Sequence, residues 1–206
     1  MTRRVPPGAC PVFGIARHAS STWTGRRYAG SSNPPLSEEG EREAQALAQQ
    51  VVESGLLAHE GARIIASPLD RAVATAEAVA RATGRRVTTD PDWAEADFGD
   101  VEGRTFADLE AEWPDIAGRL VAADTAIDWP RGERHADFQA RVLRAFERAT
   151  RHEGPVLVIA HGFVLGTVMA AALGDAEATR TAGLPRPAGL NVLRPVNGRW
   201  HREEQA

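Results

Sequence analysis

The apolar run VFGIA ends abruptly in Arg17 and His18. A guanidinium and an imidazole at the end of a buried strand are expensive unless a partner is held there. The pattern returns at SPLDR, where Arg71 falls one turn into a helix, and at AHG, where His161 ends another apolar run. A helix N-terminus is partially positive, so Arg71 sits at the unfavourable end, and a bound anion would reverse that penalty. Pairing with Asp70 or another carboxylate is the alternative for Arg71, and a hydrogen-bonded structural role is the alternative for either histidine alone. Two histidines and two arginines at three strand ends point jointly to an oxyanion. If the anion is a phosphoryl group, Arg17 and Arg71 supply donors to its oxygens, and neutral His18 is a competent nucleophile near pH 7. Such a reaction would be ping-pong and would need no metal. Protonation of the departing oxygen requires an acid, and DWAEADFGDVEGR offers Glu95, Asp97, Asp100 and Glu102. Glu95 has apolar neighbours that would raise its pKa, as a general acid requires.

These residues need strands and helices to bring them together. Residues 1–11, with Pro6, Pro7 and Gly8, read as a loose lead-in, and VFGIA as the first strand. A helix follows from the Ser37 cap, with acidic residues in its first turn, Ala44, Leu47, Ala48 and Val51 on one face, and Gly55 as its stop. RIIAS is a second strand, after which Ser67 reads as N-cap and Pro68 as the first residue of a helix ending at Gly84. A further amphipathic helix carries Phe138, Val142, Ala145 and Phe146. The run from Val156 to Gly174 is long enough to raise a membrane span, but His161 and Gly162 split it into a strand and a buried helix. Asn197 and Gly198 mark a hairpin. Strands alternating with helices predict an α/β fold: a three-layer α/β/α sandwich on a mostly parallel sheet, with its ligand beyond the carboxyl ends of the strands. The length of 206 residues predicts one domain over 1–206.

Composition removes several alternatives. All 24 basic residues are arginine, which excludes the P-loop lysine, the kinase strand lysine and Schiff-base chemistry. The DFG at 97–99 has no accompanying HRD, and GxSxG, HExxH and calcium-loop spacings are absent. A formal charge of −4 argues against a general nucleic-acid or acidic-membrane binder. Lone Cys10 cannot form an internal disulfide, and no apolar leader follows Arg3 and Arg4, so a cytoplasmic location is expected.

In order, RHA, SPLDRA, EADFGDVEG and AHG resemble the blocks of the histidine phosphatase superfamily, which includes the cofactor-dependent phosphoglycerate mutases; the match runs from Val12 to Gly174. The resemblance implies a phosphoglycerate mutase-like fold without a cofactor. It implies His18 as the phosphorylated nucleophile, Glu95 as proton donor, and Arg17, Arg71 and His161, with Gly162 beside it, on the phosphoryl oxygens. Thr24 falls where the family often has a phosphate-touching asparagine, and Gly30 matches a glycine that lets the backbone approach the ligand. PLSEEG matches the family's helix opening. The stretch EADFGDVEGRTFADLEAEWP followed by GERHADFQARV is most similar to the α-ribazole phosphatase branch. Departures are Ala19 and Ser20 after the nucleophile, Phe163 where a small residue usually follows HG, and Arg134 with His135, which add positive charge near the expected substrate mouth. The expected activity is a metal-independent phosphomonoesterase acting on a small phosphorylated metabolite, α-ribazole 5′-phosphate being one candidate. The expected partner is therefore a small-molecule phosphate ester, with no nucleic acid and no membrane. A mutase and an inert phosphate-binding module are the alternatives.

Overall fold

Alternation along two neighbouring strands sets the layers. The computed structural model describes residues 5, 8, 10–174 and 185–203. In β1 (Phe13–Arg17) and β4 (Val156–Ala160), Phe13, Ile15, Val156, Val158 and Ala160 enter one apolar cluster. Ala16, Leu157 and Ile159 enter another on the opposite face. A strand whose side chains are buried on both faces needs helices on both, and the chain supplies them. One face carries α1 (Glu38–Ser54) and α2 (Asp70–Thr83); the other carries α5 (His135–Thr150) and α6 (Gly162–Leu173).

The remaining elements are β2 (Arg63–Ala66), β3 (Val87–Thr89), α3 (Phe106–Glu112), α4 (Pro114–Val121), β5 (Leu190–Val196) and β6 (Arg199–Arg202). The sheet runs β3-β2-β4-β1-β5-β6. Its first four strands are parallel and β5 and β6 antiparallel, with Phe13 opposite Val156 and Arg17 opposite Ala160. The three-layer, mostly parallel architecture is thus the one expected, closed at one edge by the hairpin at Asn197 and Gly198.

Three local readings are corrected. Helix α2 begins at Asp70 with Leu69 at its cap, so Pro68 precedes the helix and Ser67 does not cap it. The Ser67 hydroxyl instead accepts from the Leu69 N–H at 3.2 Å. The lead-in is anchored at its end: Cys10 is fully buried and its N–H donates to the Thr150 carbonyl at 2.9 Å. Residues 1–4, 6, 7 and 9 of that segment lie outside the described residues. The polar three-residue strand β3 and the short helices α3 and α4 carry no strong periodic signal and were not anticipated. Thr105 and Asp108 do form a reciprocal capping box that starts α3, and Pro114 opens α4. Helix α6 is buried along much of its length, Phe163, Val164, Leu165, Val168, Met169 and Ala172 included. Among the described residues no helix is long and apolar enough to cross a membrane.

Candidate active site

Strand register assembles the site. Because Arg17 pairs with Ala160, the next residues, His18 and His161, emerge side by side, and the His18 N–H donates to the Ala160 carbonyl at 2.8 Å. Their ring centroids lie 5.1 Å apart. From the adjacent β2, Ser67 follows Ala66 and places its hydroxyl 2.7 Å from His161 Nε2.

Two neighbours fix the His18 tautomer. Nδ1 lies 2.7 Å from the Ala19 carbonyl, which can only accept, so Nδ1 carries the proton. Arg71 Nε donates to Nε2 at 3.2 Å, leaving Nε2 as the nitrogen with the lone pair. Burial, then the Arg71 and Arg17 charges, hold the His18 pKa well below its ordinary value. His161, fully buried, is also held well below its ordinary value, by burial first and then by Arg71, His18, Arg17 and Arg141. Both imidazoles are therefore neutral near pH 7. The loop after His18 is held from two sides. Thr75 accepts the Ala19 N–H at 3.0 Å, while the Glu43 carboxylate takes the Ser20 N–H at 2.6 Å and its hydroxyl at 3.1 Å. Gly40 lets α1 dock there, since a Cβ would lie 1.9 Å from the Ser20 carbonyl.

Arg71 is 1% exposed, and its hydrogen bonds among the described residues go to carbonyls and to His18 rather than to a carboxylate. Its Nη1 donates to the Ser32 carbonyl at 2.6 Å, and its Nη2 to those of Gly30 and Ala29 at 2.8 and 3.2 Å. That loop is in turn gathered by Glu102, whose carboxylate accepts the N–H groups of Gly30, Ser31, Ser32 and Phe98 at 2.7 to 3.2 Å. A Cβ on Gly30 would lie 2.2 Å from the Ala96 carbonyl and 2.5 Å from Glu102 Oε1. The close approach that needs glycine in this structure is thus loop against loop.

Glu95 reaches the site from the loop after a 3-10 turn at Pro91–Trp93. Its Oε2 accepts the Phe163 N–H at the start of α6, and its Oε1 accepts its neighbour Ala96 N–H, both at 3.2 Å. Burial raises its pKa, against the pull of the Phe163 N–H, the Arg71 charge, the Ala96 N–H and Arg17. The backbone beneath Glu95 is pinned by Arg141, which donates to the carbonyls of Asp92, Ala94 and Glu95 at 2.7 to 3.1 Å and forks onto Glu133.

A cavity of about 340 Å³ opens over these groups, with Arg17, His18, Arg71, Glu95 and Gly162 in its wall. Thr24 also lines it, its hydroxyl accepting the Ser21 N–H at 2.8 Å. His161 and Gly30 adjoin wall residues without lining the cavity themselves. Arg134 and His135 stand outside it at the start of α5, a correction to their expected place at the mouth. The Arg17 Nη1 donates to the Pro185 carbonyl at 2.9 Å. Among the described residues Arg17 Nε and His161 Nδ1 are buried without a partner, and the first is a donor that an oxyanion would satisfy. No cluster of three or more His, Cys, Asp or Glu side chains among the described residues is placed to hold a metal ion. Sequence reasoning missed Glu43, Ser67, Thr75, Glu133 and Arg141 as supports, and gave Glu102 no role beyond a candidate acid.

Comparisons with known proteins agree with this geometry. A bifunctional protein of Mycobacterium tuberculosis is 41% identical over 140 residues, 66% of this chain and 36% of that protein. The match thus spans about a third of that relative's length. A Proteus mirabilis protein named probable phosphoglycerate mutase GpmB is 34% identical over 166 residues, 78% of this chain and 74% of that one. Among solved structures, Bacillus stearothermophilus YhfR superposes with a TM-score of 0.81 at 28% identity, covering 94% of this chain and 96% of that one. A mycobacterial glucosyl-3-phosphoglycerate phosphatase in complex with VO3 superposes with a TM-score of 0.77 at 26% identity, covering 95% and 99%. The sequence profile of the histidine phosphatase superfamily (branch 1) matches residues 13–205, and with four separated blocks meeting at one cavity, this chain belongs to that superfamily.

Proposed function

We propose that the chain hydrolyses phosphate monoesters through a phosphohistidine on His18 Nε2, without a metal ion. One observation carries the reading. The His18 imidazole is held in the tautomer whose Nε2 lone pair faces Arg71, at the wall of a cavity shared with Arg17 and Glu95. In the first half-reaction Nε2 attacks phosphorus, the bond to the leaving oxygen breaks, and that oxygen takes its electron pair and the Glu95 proton. Arg71 Nε turns from Nε2 to a phosphoryl oxygen, Arg17 Nε supplies a further donor, and His161 Nδ1 another in the tautomer in which the Ser67 hydroxyl donates to its Nε2. In the second, the Glu95 carboxylate takes a proton from water as the water oxygen attacks phosphorus. The P–N bond breaks, its pair returns to Nε2, and orthophosphate leaves. The phosphatase neighbour holding VO3 supports this reading. Among substrates, α-ribazole 5′-phosphate is one candidate, drawn from the resemblance of the Glu95 block.

Alkaline quench with a radiolabelled ester should trap label on the wild type and none on His18→Ala, with turnover unaffected by chelators. Label on the variant would overturn the nucleophile, and inactivation by chelator the metal independence. Glu95→Ala should slow esters of basic alcohols by about 10² to 10⁴ fold and aryl esters of acidic phenols far less; equal losses would assign the proton to another residue. Neutral His18 and protonated Glu95 are both needed, so kcat/KM falls below the lowered His18 pKa and above the raised Glu95 pKa, giving a bell-shaped profile between the two. The relative named as a phosphoglycerate mutase favours a second reading, phosphoryl transfer back to substrate. Phosphoglycerate supplied with a bisphosphoglycerate primer decides it: isomerisation faster than phosphate release would replace hydrolysis.

A further inference from the structure

The leaving-group side of the cavity has a composition that the chemistry above leaves unexplained. If Glu95 protonates the leaving oxygen, a step that rests on the proposed function, the first atoms of the leaving group must lie beside Glu95. The residue whose N–H holds Glu95 is Phe163, and Phe163 also lines the cavity. Its ring is not free to move aside. It packs edge-on to Phe98 at 5.6 Å and to Trp129 at 5.9 Å between centroids, and Phe98 and Trp129 lie 4.1 Å apart. Tyr28 meets Phe98 edge-on at 6.4 Å and carries the aromatic surface outward. Trp23, Phe106 and Leu120 complete that wall, and Phe106 is left 38% exposed at the first residue of α3.

Phe163 and Phe98 are themselves 7% and 3% exposed, so Phe163 offers the cavity a fixed ring edge while the aromatic surface open to water lies on Phe106, Trp23 and Tyr28. Such surface is burial free energy held in reserve for a ligand, and a rigid wall saves the ligand the ordering it would otherwise impose. The hydroxyls nearby are already engaged, since Ser21 and Thr24 bond each other at 3.2 Å. Arg27 is tied to the Gly103 carbonyl at 2.7 Å. Arg26, exposed at the rim, attracts any anionic ester without reading its alcohol. A polyhydroxylated leaving group beside Phe163 would lose hydrogen bonds to water and find few replacements.

We infer that Phe163, backed by Phe98, is a specificity-determining residue that selects phosphate monoesters of flat, apolar alcohols over those of glycerate or polyol type.

The comparison uses alcohols of similar basicity so that bond-breaking chemistry cancels. Benzyl phosphate is set against glycerol 3-phosphate and 3-phosphoglycerate, in the wild type, Phe163→Ala and Phe106→Ala. The wild type should favour the benzyl ester in kcat/KM by roughly tenfold or more. Phe163→Ala should erase most of that ratio, chiefly through KM, and Phe106→Ala, on an exposed and foldable position, should lower it by a smaller factor. A parallel titration of benzylphosphonate and methylphosphonate, followed by tryptophan emission, should give the same order in Kd without any turnover. A wild-type ratio at or below one, or a ratio unchanged in both variants, overturns the inference; a preference for 3-phosphoglycerate would do so by giving the leaving group to Arg26. Should no ester be hydrolysed, the phosphatase reading falls, and the phosphonate titration still decides: tighter benzylphosphonate sustains the aromatic site, and equal affinities sink it.

Discussion

Arg71 and Arg141 are built alike and do different things. Each spends its terminal nitrogens on three carbonyls of one loop, 29–32 for Arg71 and 92–95 for Arg141. They differ in what faces Nε. Arg141 Nε donates to Glu133 at 2.7 Å, so its charge is neutralised within the fold. Arg71 Nε donates to the neutral His18 imidazole at 3.2 Å, and no carboxylate forms an ion pair with it among the described residues. A guanidinium cannot shed its proton in a protein, so the buried Arg71 charge is left without a counterion. Burial lowers its pKa, with Glu95 and Glu102 acting against that from a distance. The difference separates a clamp that is complete without ligand from one that an oxyanion completes.

The sharpest way to break that contrast is to remove Arg71. Arg71→Ala should lower kcat/KM by about 10² to 10³ fold, the loss typical of one preorganised donor at a developing oxyanion. It should also abolish the rise in Tm that orthophosphate gives the wild type, because that rise reports binding to the folded state. Arg141→Ala should keep the orthophosphate response. If both variants lose it, or neither does, the two arginines are not functionally distinct.

The part of this contrast legible in the sequence was the odd charge placement. Arg17, His18, Arg71 and His161 stand out because each interrupts an apolar strand or opens a helix, and parallel register then brings strand ends together whatever the loops do. Glu95 was legible as one acid among four, chosen for its apolar neighbours. Arg141 was not legible, since at helical spacing in an amphipathic helix it reads as an ordinary solvated side chain, and its carbonyl partners lie 46 to 49 residues away. Glu102 was hidden similarly: nothing in EGR shows that its carboxylate faces four N–H groups from two loops. The aromatic wall escaped because Trp23, Phe98, Phe106 and Phe163 come from four separate segments with no shared period. Helices α3 and α4 were missed as the Trp113-Pro114 break leaves each too short for a periodic pattern, although the Thr105-Asp108 box was there to read.

Removing the completed clamp should act chiefly on stability. The Arg141 and Glu133 side chains are 15% and 18% exposed. Arg141→Ala would leave a largely buried carboxylate and three carbonyls without their donor, which should destabilise the fold by roughly 2 to 3 kcal/mol, read as a lower denaturant midpoint. Activity should fall as well, and unevenly. Since the clamp holds the Glu95 backbone, turnover of esters of basic alcohols should drop more than that of aryl esters. A uniform loss across leaving groups would mean that Arg141 supports the whole site rather than the proton donor.

A smaller and more diagnostic effect is expected at Glu102, which holds the loop that Arg71 grips. Glu102→Gln keeps the size of the side chain but turns one acceptor into a donor facing N–H groups, so the carbonyls of residues 29–32 should shift and loosen the guanidinium. The fall in kcat/KM should be modest, about tenfold. The pH profile is the more specific readout. Burial is the first cause of the lowered His18 pKa and the Arg71 charge the second. Arg71 disfavours the imidazolium, so loosening it removes part of the depression and moves the pKa back up toward the ordinary value near 6.5. Activity needs the neutral ring, so the acid limb of kcat/KM should move to higher pH in the variant, and the wild type should keep its rate at acidities where the variant has lost it. An acid limb that stays in place while the rate falls would show that Glu102 acts on the stability of the loop and not on the electrostatics of the nucleophile.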